Sequence, residues 1–99
     1  MSKIMLSTDL ESPSSVPYFL WDEPMSVAEL TLKLRTSSES ERTRLFGKIL
    51  REARDTDVWK FTTPHEVLQN WDAISKHLGR RREFWIFLFN RWKSEGLIG

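Results

Sequence analysis

The sequence predicts an all-α domain, a compact bundle of four to five short helices with an extended N-terminal arm. Three observations carry that expectation. Apolar residues recur at helical spacing from Leu45 to Ala53 and again from Phe84 to Trp92. Helix-start signals stand at Ser26, Ser38 and Thr63, and Gly79 and Gly96 supply stops. The length of 99 residues suits one domain, and no internal repeat or long linker divides it. The expected organisation is a flexible tail over 1–15 and a single helical domain over 16–99, with the arm at 16–24.

The tail is Ser-rich and lacks sustained periodicity. In the arm, "SSVPYFLWDEP", Pro17 biases Val16 toward an extended backbone and Pro24 does the same to Glu23. On an extended segment Phe19 and Trp21 point one way, and their expected seat is near Ile86 and Phe87 of the last helix; Tyr18 and Leu20 point the other way. Insertion of the arm into a second chain is the competing arrangement.

Ser26 and Glu29 have the spacing of a capping box, and Val27, Leu30 and Leu34 follow on one helical face. "LTLKL" also alternates as a strand would, but the cap favours helix. The second helix opens in the same way at Ser38 and Glu41 and runs to about Arg54. With Leu45 at 0°, its apolar residues span about 0° to 140°, and Arg44, Lys48, Arg51 and Arg54 span about 180° to 300°. Thr63, Pro64 and Glu66 form the strongest helix start, after which Asp72 is expected to cap a short helix carrying Ile74 and Leu78. The last helix, about 80–93, is apolar almost all round, because Ile86 and Phe87 fall off the main face. Its second face needs a cover.

The 15 basic and 14 acidic residues nearly cancel, yet their distribution is uneven. Residues 1–41 hold three cations against seven carboxylates, a net of −4, and residues 42–99 hold twelve against seven, a net of +5. Such a chain invites a polar partner at either end or self-complementary packing. The absence of Cys excludes disulfides, thiolate zinc sites and thiol nucleophiles, and fits a reducing cytoplasm. No apolar run approaches the ~18 residues that span a bilayer, and "MSKIMLSTDL" has too short an apolar core for a secretory signal, so no membrane partner is expected.

His65 and His77 stand in no metal-type spacing and read as surface residues near helix ends. Asp55 and Asp57 in "RDTDVW" read as turn residues rather than Mg²⁺ ligands, since no third ligand or phosphate cradle is near. There is no Gly-rich phosphate loop and no nucleophile elbow, so neither an enzyme nor a cofactor is expected.

Charge is the feature above background. "GRRRE" sets Arg80, Arg81 and Arg82 in the first turn of a helix, where the macrodipole disfavours cations. One reading is a compensating anion, either phosphate or a carboxylate-rich protein face. The competing use is pairing with Glu83 and with carboxylates of the acidic front half. Excess aromatics, the arginines, and Ile86 and Phe87 off the core face together point to a protein-binding surface made of Arg80, Arg81, Arg82, Arg44, Lys48, Arg51, Ile86 and Phe87. A nucleic-acid regulator using Arg80 to Arg82 on phosphates is the alternative, and a homodimer is a third use of the same apolar face.

The segments "VPYFLWD", "GKILREARDTDVWKFTTPHEV" and "HLGRRREFW" resemble a group of small bacterial proteins, the likeness covering about residues 16–97. Relatives in that group are often encoded beside a nucleotidyltransferase-like protein of the abortive-infection toxin type. The resemblance implies an antitoxin-like or accessory binding partner of such a toxin, and it supplies no catalytic residues.

Overall fold

A computed structural model of the chain describes residues 6–97 and contains six α-helices among them. Helix α1, Val27–Thr36, begins where Ser26 Oγ accepts the Glu29 amide at 3.1 Å. Leu30 and Leu34 are buried and Leu32 is 61% exposed. A strand would have set all three on one face, so this division is the signature of a helix. Glu29 reaches forward to Lys33 rather than back to the cap.

Helix α2, Glu39–Glu52, is the central element. Ser38 caps it, and Leu45, Phe46, Ile49 and Leu50 are buried. The chain turns at Ala53, so the Leu50 carbonyl and the Arg54 amide, one helical hydrogen bond apart, do not meet. Each finds an aromatic partner instead. The Trp85 indole N–H donates to Leu50 O at 2.9 Å, and the Arg54 N–H donates to the Tyr18 hydroxyl at 2.8 Å.

Short helices α3, Asp55–Val58, α4, Pro64–Gln69, and α5, Trp71–Ile74, then lead to a 3-10 turn at Ser75–His77. Thr63 caps α4 through the Glu66 amide with Pro64 at the first helical position, as the sequence predicts. Asp72 does not cap α5. The capping position is Asn70, whose side chain makes no cap bond, and Asp72 lies inside the helix. Gly47 brings α2 against the 3-10 turn, where a Cβ would overlap His77 Cβ.

Helix α6, Arg81–Ser94, is held by aromatic contacts. Trp85 and Phe89 are buried, and they mesh with Trp59, Trp71 and Trp92 at ring separations of 5.6–5.9 Å. Four of the five tryptophans thus share one cluster. Gly96, at φ 75°, ends the helix in a left-handed turn. Its own amide bonds Lys93 O at 3.1 Å, and the Leu97 amide bonds Trp92 O at 2.9 Å, the paired pattern of a Schellman stop.

The N-terminal stretch departs from expectation in two ways. Residues 1–5 of the expected tail lie outside the described residues; from Leu6 on, the tail belongs to the fold. Strand β1, Leu6–Ser7, pairs in parallel with β2, Val16–Pro17, and Leu10 is buried. Pro13 O and Ser15 O accept the amides of Ala28 and Val27 at 3.0 and 2.8 Å, which satisfies donors that α1 cannot pair internally.

The arm is extended only at Val16–Pro17. Tyr18–Leu20 forms one 3-10 turn that packs against α2. The tighter turn directs both Phe19 and Leu20 inward and leaves Trp21 62% exposed. Phe19 meets Phe61 edge to face at 5.7 Å, while Phe87 stays exposed. The predicted seat beside Ile86 and Phe87 is therefore corrected: the arm closes its own domain on α2.

Candidate interaction surface

The basic groups of α2 and α6 meet different surroundings. On α2, Arg44 donates to both oxygens of Glu23, at 2.7 and 3.0 Å, and also to Glu41. Lys48 is buried; its Nζ pairs with Asp22 and lies 3.1 Å from Glu23 Oε1. Arg51 bonds Glu52 at 3.0 Å and His77 O at 2.9 Å, and the Arg54 guanidinium stands over the Tyr18 ring at 5.7 Å.

These contacts shift the groups involved. The bonds from Arg44, then those from Lys48, hold the Glu23 carboxyl down to about 2 against the burial that opposes them. The Lys48 bond likewise lowers Asp22. Bonds to Glu23 and Glu41 raise Arg44 further above its ordinary value. Arg44, Lys48 and Arg51, expected to extend a partner-facing patch, are instead engaged by the chain's own groups. The acidic front half packs onto the basic back half at this place.

On α6 the situation is reversed. Arg80 and Arg82 are exposed, and Arg82 has only Glu83, at 3.7 Å, within ion-pair range. The Arg81 guanidinium stacks on Phe84 at 4.3 Å, and its Nε is buried without a hydrogen-bond partner. Among the described residues no carboxylate lies within 4 Å of Arg80, Arg81 or Lys93. Phe87 is 60% exposed, one helical turn from Phe84, Glu83 and Arg91. Ile86 is half-buried in a cleft of about 140 Å³ beside Leu68 and Trp71. The second apolar face of α6 is thus divided: α4 and α5 shelter Ile86, and among the described residues nothing covers Phe87.

Among the described residues, no group of three or more His, Asp and Glu side chains is placed to hold a metal ion. Asp55 and Asp57 form the first turn of α3, and Asp57 Oδ2 accepts the Tyr18 hydroxyl proton at 2.6 Å. His65 is exposed in the first turn of α4, and His77 abuts Gly47. A surface groove of about 790 Å³ runs between the first turns of α2 and the Ala73–His77 segment. Within it Ser38 is committed to its cap and Glu41 to Arg44. Among the described residues, no helix is long and apolar enough to cross a membrane.

Trp21, on the arm, lies opposite to the side that its sequence pattern predicts. Alternation on an extended arm assigns it inward with Phe19, and only the 3-10 geometry turns it out. Comparison with family models, with curated proteins and with solved structures finds no match to this chain.

Proposed function

We propose that this protein is a small non-enzymatic interaction module that offers the outer face of α6 to another protein. The observation carrying the reading is Phe87, a large aromatic left 60% exposed on a helix that buries Trp85 and Phe89. Arg80 and Arg81, without carboxylate neighbours among the described residues, supply the charged rim. Aromatic and Arg side chains are the types that dominate interface energies. A cytoplasmic place is part of the same proposal, supported by the lack of cysteine.

The candidate partner is the nucleotidyltransferase-type toxin that the sequence resemblance implies, which would make the chain antitoxin-like. Co-expression of the two followed by size-exclusion chromatography tests this. The expected result is co-elution that Phe87→Ser abolishes while the melting temperature of the free chain stays unchanged. Separate elution of the two wild-type proteins rejects that partner.

A second reading, binding of nucleic-acid phosphates by Arg80 to Arg82, draws support from the exposure of Arg80 and Arg82. It predicts gel retardation at low salt that weakens steeply as salt rises. Unretarded DNA and RNA at low salt remove it.

A further inference from the structure

The arm and α2 show what kind of segment a basic, apolar helix face of this chain accepts. Phe19 and Leu20 are buried at α2, and the next acidic pair, Asp22 and Glu23, closes on Lys48 and Arg44. Helix α6 repeats the combination on its outer face. Phe87 is the exposed apolar side chain, flanked by Phe84 and Leu88, which are half-buried against the core, and Arg80, Arg81 and Arg91 supply the cations. The segment from Arg80 to Glu95 holds five basic and two acidic residues, a net of +3. Arg91 donates to Glu95 at 3.1 Å on its own helix, and among the described residues no carboxylate lies within ion-pair range of Arg80 or Arg81.

We propose that this face receives an acidic, apolar segment of a different protein, whose large apolar side chains seat around Phe87 and whose carboxylates meet Arg80, Arg81 and Arg91. The inference rests on the interaction-module reading and specifies the partner's chemistry.

Charge and composition decide against the other occupants. Two copies of α6 face to face set Arg80 to Arg82 against the same cluster or against Arg91 and Lys93, so like charges meet in either direction. A nucleic-acid backbone would satisfy the arginines and leave Phe87 without an apolar contact, and α6 is too apolar to read a groove. An anionic membrane would press uniform negative charge on Glu83, which is exposed one turn before Phe87. A folded or linear protein segment can place a cation opposite that one carboxylate.

The test is site-specific photocrosslinking in the cells that produce the chain, with p-benzoylphenylalanine in place of Phe87 and mass-spectrometric mapping of the captured segment. The expected adduct is a protein segment in which Asp or Glu flank two or more large apolar residues. Its yield should fall about tenfold in Arg80→Glu/Arg91→Glu, since reversed rim charges act on encounter and complex stability together. The melting temperature of that variant, compared with wild type, separates lost docking from lost folding. Capture of a protein at a basic or uncharged segment, or a yield indifferent to the charge reversal, overturns the inference and leaves the interaction-module reading standing. Capture of a second copy, of nucleic acid, of lipid or of nothing overturns both.

Discussion

Arg44 grips Glu23 with both ends of its guanidinium, Nη1 donating to Oε1 at 2.7 Å and Nη2 to Oε2 at 3.0 Å. The pair joins the arm to α2 across 21 residues of sequence, and Lys48 reinforces it from the buried side. A parallel two-point contact of this kind sets direction as well as attraction, so it fixes where Trp21 emerges.

The same contact makes the arm sensitive to acid. Glu23 is held down to about 2 from an ordinary 4.5, so the unfolded chain takes up its proton first as pH falls. The stabilisation is complete above about 4.5 and is mostly lost by about 2. Glu23→Gln should lower stability at pH 7 by about 1–2 kcal/mol, a figure reduced for the partial exposure of the pair. Denaturant melts of both proteins across this range check it. Their difference should shrink through the window, and a difference independent of pH would refute the linkage.

Gly47 is expected to resist the usual helix-stabilising replacement. In an open helix Gly→Ala gains about 1 kcal/mol from propensity. Here the added methyl overlaps His77 Cβ, and both groups sit on packed backbone rather than at a flexible tip. Gly47→Ala should therefore lose about 1–3 kcal/mol, as overpacked cores do. Adding His77→Gly should recover part of that loss. Equal stability of Gly47→Ala and wild type would show that α2 and the 3-10 turn separate without cost.

Trp85→Phe tests how α6 is attached. Trp85 is fully buried, and its indole N–H satisfies the carbonyl at the C-terminal end of α2. Phenylalanine fills less of the site and leaves Leu50 O unpaired, so a loss of about 2–4 kcal/mol is expected. Tryptophan fluorescence during unfolding reports the cluster directly, with Trp59 and Trp92 still in place. A loss below about 0.5 kcal/mol would mean that water or a neighbouring donor takes over the carbonyl.

The legible and illegible parts of this fold divide by distance along the chain. Ser26, Ser38 and Thr63 each accept an amide three residues on, so those helix starts were written locally and the structure has them. The Schellman stop at Gly96 is local in the same sense. Lys48 has an acceptor 26 residues away, and no spacing rule reaches that far. Only the uneven charge of the two halves announced such pairing, without saying which side chains meet. The arm failed for a different reason. Pro17 and Pro24 constrain their own neighbours, but Tyr18 to Leu20 lie between them, and the burial of Phe19 and Leu20 favoured a turn over the extended form. The exposure of Phe87 and Arg80 was readable because the rotation of α6 follows from its own periodicity. The sheltering of Ile86 depends on where α4 and α5 sit.

Tyr18 supplies the last test, because one hydroxyl ties together three segments. It donates to Asp57 Oδ2 at 2.6 Å and accepts the Arg54 amide at 2.8 Å, so the arm completes the turn between α2 and α3. Tyr18→Phe keeps the ring against Phe19 and removes both bonds, leaving the Arg54 amide without its acceptor. A loss of about 1–3 kcal/mol is expected. Burial raises the phenol above its ordinary 10.0, the Arg54 amide bond opposes that shift, and the bond and charge of Asp57 add to it. Since the folded value lies above the unfolded one, Tyr18 stabilises the fold fully below about 10 and ceases to do so as pH climbs through the folded value. Ultraviolet difference titration of the single tyrosine should show ionisation later than in the unfolded chain. Coincident titration of folded and unfolded protein would remove the hydroxyl from the set of contacts that hold the arm.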